Sequence, residues 1–368
     1  MSRSSIPSIA VDAMGGDHGP RVVIPGALKA AREMSLALKF VGRERLIWDE
    51  LNRHDLAGLE IDVFHSPDVA EMGDKPSHIL RRKKDTSIQN GFQLVKEGEA
   101  QGLVSAGHTG VTLASGMFTL GRIKGIERPG LATVMPREKN PLVVIDVGAN
   151  VDSKPRHLVQ FALMAEALSR NVLKKTEPQV GILSIGEEQG KGNIQVNEAY
   201  ALLSKTDMNF VGNVEGRDLF NGHLDIVVCD GFVGNVVLKL SEGLAQAFSG
   251  MLRQELKRGF LSRLGAFLAL PAFKRLRTRL DHEEYGGAPL LGLNGSVFVC
   301  HGSAGEKAIQ KAIKMAATFI ASSANDDIRE GLEAHPEMTR FHRLRTILHT
   351  SSKNSAQTEE PDKDDENA

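Results

Sequence analysis

Apolar and polar positions along the chain alternate between two periods. Short apolar runs at 9–11, 36–41, 61–64, 131–135, 142–145, 180–185, 210–214, 225–229 and 296–300 have the length of buried strands. Between them, apolar residues recur three and four positions apart, as at Val23, Ala27, Ala30 and Ala31 after Pro20. This spacing predicts helices from Pro20, at 43–51, 88–95, 155–172, 194–203, 236–257 and 304–321, and one running through Leu113 and Phe118. Strands alternating with helices predict an α/β protein with a mostly parallel sheet. Residues 285–294 are read as a glycine-rich loop.

The strand ends share one design. Strand 9–11 runs into Asp12, then Gly15, Gly16 and Asp17, where adjacent glycines permit a tight turn and close approach to a ligand. The run from Gly102 leads through Gly107, His108, Thr109 and Gly110. Thr109 is placed to cap the next helix, whose free N–H groups can bind an anion, and His108 reads as an acid/base or a cap-region group. Asp146 and Asn150 follow strand 142–145, Asp230 and Asn235 follow strand 225–229, and His301 follows strand 296–300. Asp146, Asn150 and Asp152 have neither a histidine partner nor the spacing of a calcium loop. In a parallel sheet such ends lie on one edge and can converge on one cleft.

The loop Gly186-Glu-Glu-Gln-Gly-Lys-Gly-Asn193 resembles a nucleotide phosphate loop without being one. Three residues separate its first two glycines, and Gly192 stands where a serine or threonine is needed. Lys191 between two glycines, with Asn193 next to the following helix, still suits a single phosphate or an oxyanion. Ser77 is placed to cap a helix after Pro76. Arg81, Arg82, Lys83 and Lys84 read either as a solvated helix end or as an anion site.

One stretch departs from the pattern. Phe260, Leu264, Phe267 and Leu268 form an apolar stripe that Phe273, Leu276 and Leu280 extend beyond Pro271. Between 253 and 281 stand eight cations (Arg253, Lys257, Arg258, Arg263, Lys274, Arg275, Arg277 and Arg279) against two anions. A basic amphipathic pair of helices interrupted by proline suits a membrane surface or an acidic protein; a hairpin packed into the core or a dimer interface is the alternative.

Composition narrows the class. Of the 368 residues, 41% are hydrophobic and 25% charged, the balance of a soluble globular chain. A net charge of -1 gives no global argument for nucleic acid. Two cysteines, Cys229 and Cys300, form no metal or redox cluster and point to a reducing cytoplasm. The N-terminus lacks a signal-peptide run, and no apolar stretch reaches transmembrane length.

The motifs carry a resemblance. Ile9-Ala-Val-Asp-Ala-Met-Gly-Gly-Asp17 resembles the opening of the bacterial phosphate acyltransferases (PlsX). So do Arg81-Arg-Lys-Lys84, Ser105-Ala-Gly-His-Thr-Gly110, Gly121-Arg-Ile-Lys-Gly-Ile126, Asp146-Val-Gly-Ala-Asn-Val-Asp152, Lys191-Gly-Asn193, Gly212-Asn-Val-Glu215, Asp230-Gly-Phe-Val-Gly-Asn235 and Tyr285-Gly-Gly-Ala288, in order from about residue 8 to 325. His108 departs from the pattern, which carries asparagine in many members. The resemblance implies a three-layer α/β/α, Rossmann-like fold akin to phosphotransacetylases and isocitrate dehydrogenases. A single catalytic domain would span 1–350, with a protruding helical hairpin at 253–281 and a disordered acidic tail at 351–368. It implies transfer of a fatty acyl group from acyl carrier protein to inorganic phosphate, with no cofactor and no metal. The acyl phosphate would feed the membrane acyltransferase PlsY. It further implies a cytoplasmic homodimer, peripherally associated with the membrane, in which Lys191 and Asn235 are the functional lysine and asparagine. The remaining strand-end residues would bind substrate or phosphate. Arg253, Lys257, Arg263, Leu264, Phe267, Leu268, Lys274, Arg275 and Arg277 would meet the carrier or the membrane. The alternatives are a phosphotransacetylase-like enzyme using acyl-CoA, a dehydrogenase of the related fold, and a non-enzymatic carrier-binding protein at the membrane surface.

Overall fold

The computed structural model describes residues 6–71, 73–83, 85–137, 140–280 and 286–334, with side chains undescribed at Arg82 and 276–280. The acidic tail, Lys84 and Tyr285 lie outside the described residues, as does the side chain of Arg277.

The chain alternates as its pattern predicts. It begins β1 (Ser8–Asp12), α1 (Pro20–Met34), β2 (Ala37–Gly42), α2 (Glu44–Leu51), β3 (Glu60–His65), α3 (Pro76–Arg82), α4 (Ser87–Lys96), β4 (Gly102–Ser105) and α5 (Thr109–Thr119). An antiparallel pair, β5 (Gly130–Met135) and β6 (Leu142–Ile145), follows. Then come α6 (Pro155–Asn171), β7 (Val180–Leu183), α7 (Ile194–Leu203), β8 (Phe210–Val214), β9 (Ile226–Val228), α8 (Gly231–Lys257) and α9 (Phe260–Leu280). The described chain closes with β10 (Ala288–Leu291), β11 (Ser296–Val299), α10 (Glu306–Ala321) and α11 (Ala324–Ala334).

The strands form one 11-stranded sheet in the order β3-β2-β1-β4-β11-β10-β5-β6-β9-β7-β8. Side chains of alternate residues enter two cores, as a period of two requires. Ile9 and Val11 of β1, with Val143 and Ile145 of β6, join the core under α1, α6, α7, α10 and α11. Ala10 and Val144 join the core on the other face, with residues of α4 and α5. The result is a three-layer α/β/α fold.

Direction within the sheet corrects the single-edge expectation. β3, β2, β1, β4 and β11 are mutually parallel, and so are β6, β9, β7 and β8. Between the groups, β10 is antiparallel to both β11 and β5, and β5 is antiparallel to β6. The two groups therefore run in opposite senses, and their strand ends form two sets. The 285–294 loop expectation missed β10, whose Pro289 sits inside a central strand.

Three helix boundaries also differ. α8 starts at Gly231 rather than Val236, because Asp230 caps it by accepting the N–H groups of Phe232 (2.9 Å) and Val233 (3.0 Å). α9 passes through Pro271 without ending, so the hairpin is two long helices, one of them containing the proline. α3 begins at Pro76, with Lys75 rather than Ser77 at the cap position. Beyond its first turns α8 leaves the body, and Leu240, Leu244, Phe248 and Met251 are exposed. Among the described residues, no helix is long and apolar enough to cross a membrane.

Candidate active site

The first set of strand ends gathers the loops after β1, β4 and β11. Asp12 is buried: its carboxylate accepts the Ser105 hydroxyl (2.7 Å) and the Met14 N–H (3.1 Å). Burial pushes this carboxyl above the ordinary carboxylate range, against the opposing hydrogen bonds. Gly15 is required by space, since a Cβ there would stand 2.8 Å from both Asp12 Oδ2 and the Gly107 nitrogen. Gly16, at φ +80°, has the same constraint against the Gly302 carbonyl. The Asp17 N–H donates to that carbonyl (2.8 Å), joining the first loop to the one holding His301.

His108, not Thr109, caps α5. Its Nδ1 accepts the N–H groups of Gly110 (3.0 Å) and Val111 (3.4 Å), and Thr109 is the first helical residue. An asparagine oxygen could perform the same capping. Of the four-cation run, Lys83 is occupied by Asp74 (3.0 Å) and the Val69 carbonyl (3.2 Å), while Arg81 is exposed.

The second set gathers the loops after β6, β7 and β9. Asp146 is fully buried and serves as the hub of its own loop. It accepts the N–H groups of Leu131, Gly148, Ala149 and Asn150 at 2.7–3.2 Å, and the Asn150 amide at 2.8 Å. Burial again raises its pKa despite these donors. Asn150 also donates to the Pro129 carbonyl (2.7 Å). Asp12, Asp146 and Asn150 thus shape loops: the two carboxylates are buried, and the Asn150 amide N–H groups are spent on the frame.

The groups that remain open lie around this frame. Asn235 is exposed and borders Gly148, where an added Cβ would sit 3.7 Å from its Cβ and Cγ. Lys191 is exposed on a loop whose flanking glycines, Gly190 (φ 92°) and Gly192 (φ 105°), adopt backbone favoured by glycine. Its stem lies over Gly186, and among the described residues its ammonium has no hydrogen-bond or ion-pair partner. The loop's backbone is gripped instead: Asn213 donates to the carbonyls of Glu188 (2.9 Å) and Lys191 (3.3 Å), and the Ser184 hydroxyl donates to Lys191 O (3.1 Å). Asn193 caps α7 by accepting the Val196 N–H (2.8 Å). Gln195 reaches the Ser153 carbonyl and Gly231 N–H donates to Asn150 O (2.9 Å), so the three loops form one unit.

α8 connects the two sets. Lys239, one turn beyond Asn235, lies 3.2 Å from His301 Nε2 across the molecule and 2.8 Å from Glu242. The sequence pattern did not single out Lys239. Its spacing of four from Asn235, on one helix face, is the signal that could have found it. The basic residues Arg253, Lys257, Arg263, Lys274 and Arg275, and the apolar Leu264, Phe267 and Leu268, are exposed on the hairpin, away from both sets.

This architecture is shared with phosphotransacetylases. The structure of a phosphotransacetylase from Streptococcus pyogenes matches at TM-score 0.60 and 19% identity, covering 87% of this chain and 95% of that one. The EutD phosphotransacetylase from Staphylococcus aureus matches at TM-score 0.57 and 18% identity, covering 86% and 94%. At such identities the likeness defines the fold. Sequence goes further: a family model described as "Fatty acid synthesis protein" matches residues 8–326. The phosphate acyltransferase of Nitratidesulfovibrio vulgaris (strain DP4) is 56% identical over 334 residues, covering 90% of this chain and 97% of that protein. That of Lawsonia intracellularis is 54% identical over 336 residues, covering 91% and 97%. The chain belongs to the phosphate acyltransferase family.

Proposed function

We propose that this acyltransferase moves a fatty acyl group from the thioester of acyl carrier protein to inorganic phosphate. One observation carries the site assignment. Lys191 is an exposed ammonium, unpartnered among the described residues, on a loop held by its backbone, at the same strand-end set as Asn235. A phosphate oxygen attacks the thioester carbonyl carbon, and negative charge gathers on the carbonyl oxygen. Lys191 and neighbouring N–H groups stabilise that charge, while Asn235 orients the reactants without acting as a base. The C–S bond then breaks, the pantetheine thiolate leaves, and acyl phosphate remains. Phosphate supplies the nucleophile, so the protein need not provide one. The remaining open strand-end groups, from Gly16 and Asp17 to Thr109 and His301, would shape the substrate cleft.

The hairpin supports three further parts of this reading. The exposed stripe Leu240, Leu244, Phe248 and Met251 on α8 suits a second copy of the chain, giving a homodimer. The exposed Phe260, Leu264, Phe267 and Leu268 of α9, beside Arg263, Lys274 and Arg275, suit a membrane surface, and the cations suit the acidic carrier. A peripheral position would deliver acyl phosphate to a membrane acyltransferase. Incubation with acyl carrier protein thioester and phosphate, assayed for acyl phosphate, tests the reaction. No product from the carrier thioester, with product from acyl-CoA, would replace the donor; no product from either would leave a carrier-binding role.

A further inference from the structure

Lys239 belongs to neither set of strand-end loops, yet it stands where they meet. It projects from the helix that follows β9, and His301 follows β11 in the oppositely running half. An ammonium has three N–H donors. One faces Glu242 Oε2 at 2.8 Å and one faces His301 Nε2 at 3.2 Å. At the other ring nitrogen, Nδ1, the Ser303 hydroxyl lies 2.8 Å away and the Ser303 N–H donates at 3.3 Å. Glu242 forms an ion pair with Lys239, and Ser303 fixes the His301 ring beside it.

The arrangement leaves the third donor of Lys239 without a partner among the described residues, on a side chain that is 49% exposed. Asn235 occupies the same helix face one turn earlier and is also exposed. An amide and a fixed ammonium side by side, one turn apart, form a donor pair for a compact oxyanion, and a lysine ammonium is a point charge suited to phosphate. We propose that Lys239, oriented by His301 and Ser303, is a direct ligand of a phosphoryl group in the active site. This rests on the acyl-transfer reading above and divides its labour: Lys239 holds a phosphoryl oxyanion while Lys191 stabilises the carbonyl oxygen. The reaction offers two sources of that chemistry, inorganic phosphate and the phosphodiester of the carrier's prosthetic group.

The test uses the full chain with Lys239→Met, Lys239→Arg and His301→Leu. Initial rates are measured against phosphate at saturating carrier thioester, against carrier thioester at saturating phosphate, and with an acyl-pantetheine lacking the phosphodiester. Lys239→Met should raise one KM by about tenfold or more, the loss expected for a charge-assisted contact. Lys239→Arg should recover most of it, and His301→Leu should raise the same KM less. A rise in the KM for phosphate makes inorganic phosphate the ligand. A rise confined to the carrier thioester, and absent with acyl-pantetheine, makes the phosphodiester the ligand. Thermal unfolding with and without inorganic phosphate, in the absence of thioester, gives a readout independent of turnover. If the wild-type chain makes no acyl phosphate, the reaction assigned above fails, while loss of a phosphate-dependent stabilisation in Lys239→Met still upholds the ligand. A folded Lys239→Met chain with both KM values and its response to phosphate within twofold of wild type overturns the proposal. So does a lowered melting temperature with both KM values unchanged, which would make Lys239 a structural latch. Should Lys239→Met fail to fold, Lys239→Gln deletes the charge and keeps polar contact with Glu242 and His301.

Discussion

Gly234 should be among the most sensitive positions of the site, although it carries no chemistry. It lies in the first turns of α8, one residue before Asn235. A Cβ added there would stand 1.9 Å from the Asp146 carbonyl oxygen, 2.9 Å from Cys229 Sγ and 3.0 Å from the Asp146 carbonyl carbon. The nearest atom is backbone and cannot rotate away. Restoring a normal contact of about 3 Å or more needs α8 to move by roughly 1 Å. Replacing glycine by alanine in a helix favours the helix by about 1 kcal/mol, but overpacking against a fixed neighbour costs typically 1–3 kcal/mol or more. The clash should win, and Gly234→Ala should lower the melting temperature. The displaced helix carries both Asn235 and Lys239, and a misplacement near 1 Å can cost on the order of 10²-fold in rate. Gly243, in the same helix, has nothing within 4 Å of an added Cβ. Gly243→Ala should therefore stabilise the chain by about 0.5–1 kcal/mol and leave turnover unchanged. The assays are thermal unfolding and acyl phosphate formation on both variants. Equal stability and equal turnover in Gly234→Ala and wild type would refute the argument.

Lys191→Ala should fold normally and lose about 10²–10³-fold in turnover, the usual cost of one preorganised oxyanion donor; near-normal turnover at saturating phosphate would remove Lys191 from the chemistry. Burial pushes the Cys300 thiol up to about 12 and the Cys229 thiol well above its usual value, so neither offers a thiolate at neutral pH. Mass spectrometry during turnover should accordingly find no acyl-enzyme on either. Leu264→Glu with Leu268→Glu should abolish liposome binding and spare activity on the soluble carrier thioester; a variant that unfolds or dissociates would place these leucines in a core or dimer interface. Burial lowers the pKa of His157 below its ordinary 6.5, with Glu127 opposing. The unfolded chain then binds the proton more readily, so stability from this group is present above about pH 6.5 and falls as pH drops through the window below it. His157→Gln should flatten that part of a stability–pH profile measured by denaturant unfolding.

The pattern of apolar positions was enough to place most of the elements and their order, because burial on one face leaves a period of two or of 3.6 that needs no knowledge of the partner. Glycines beside a cation and an asparagine after a strand are local signals too, and they marked Lys191 and Asn235 as candidates. Periodicity reports which face is buried and not which way a strand points. The opposed directions of the two halves therefore came only from the pairing of β10 with β11 and β5, and β10 itself was hidden by Pro289. Strand-end carboxylates looked alike in sequence, yet Asp12 and Asp146 are buried and consumed by their own loops, since satisfying a buried charge takes donors that only the folded neighbourhood supplies. Lys239 and His301, 62 residues apart, meet only because α8 crosses from one half to the other. A contact of that kind leaves no trace in local spacing.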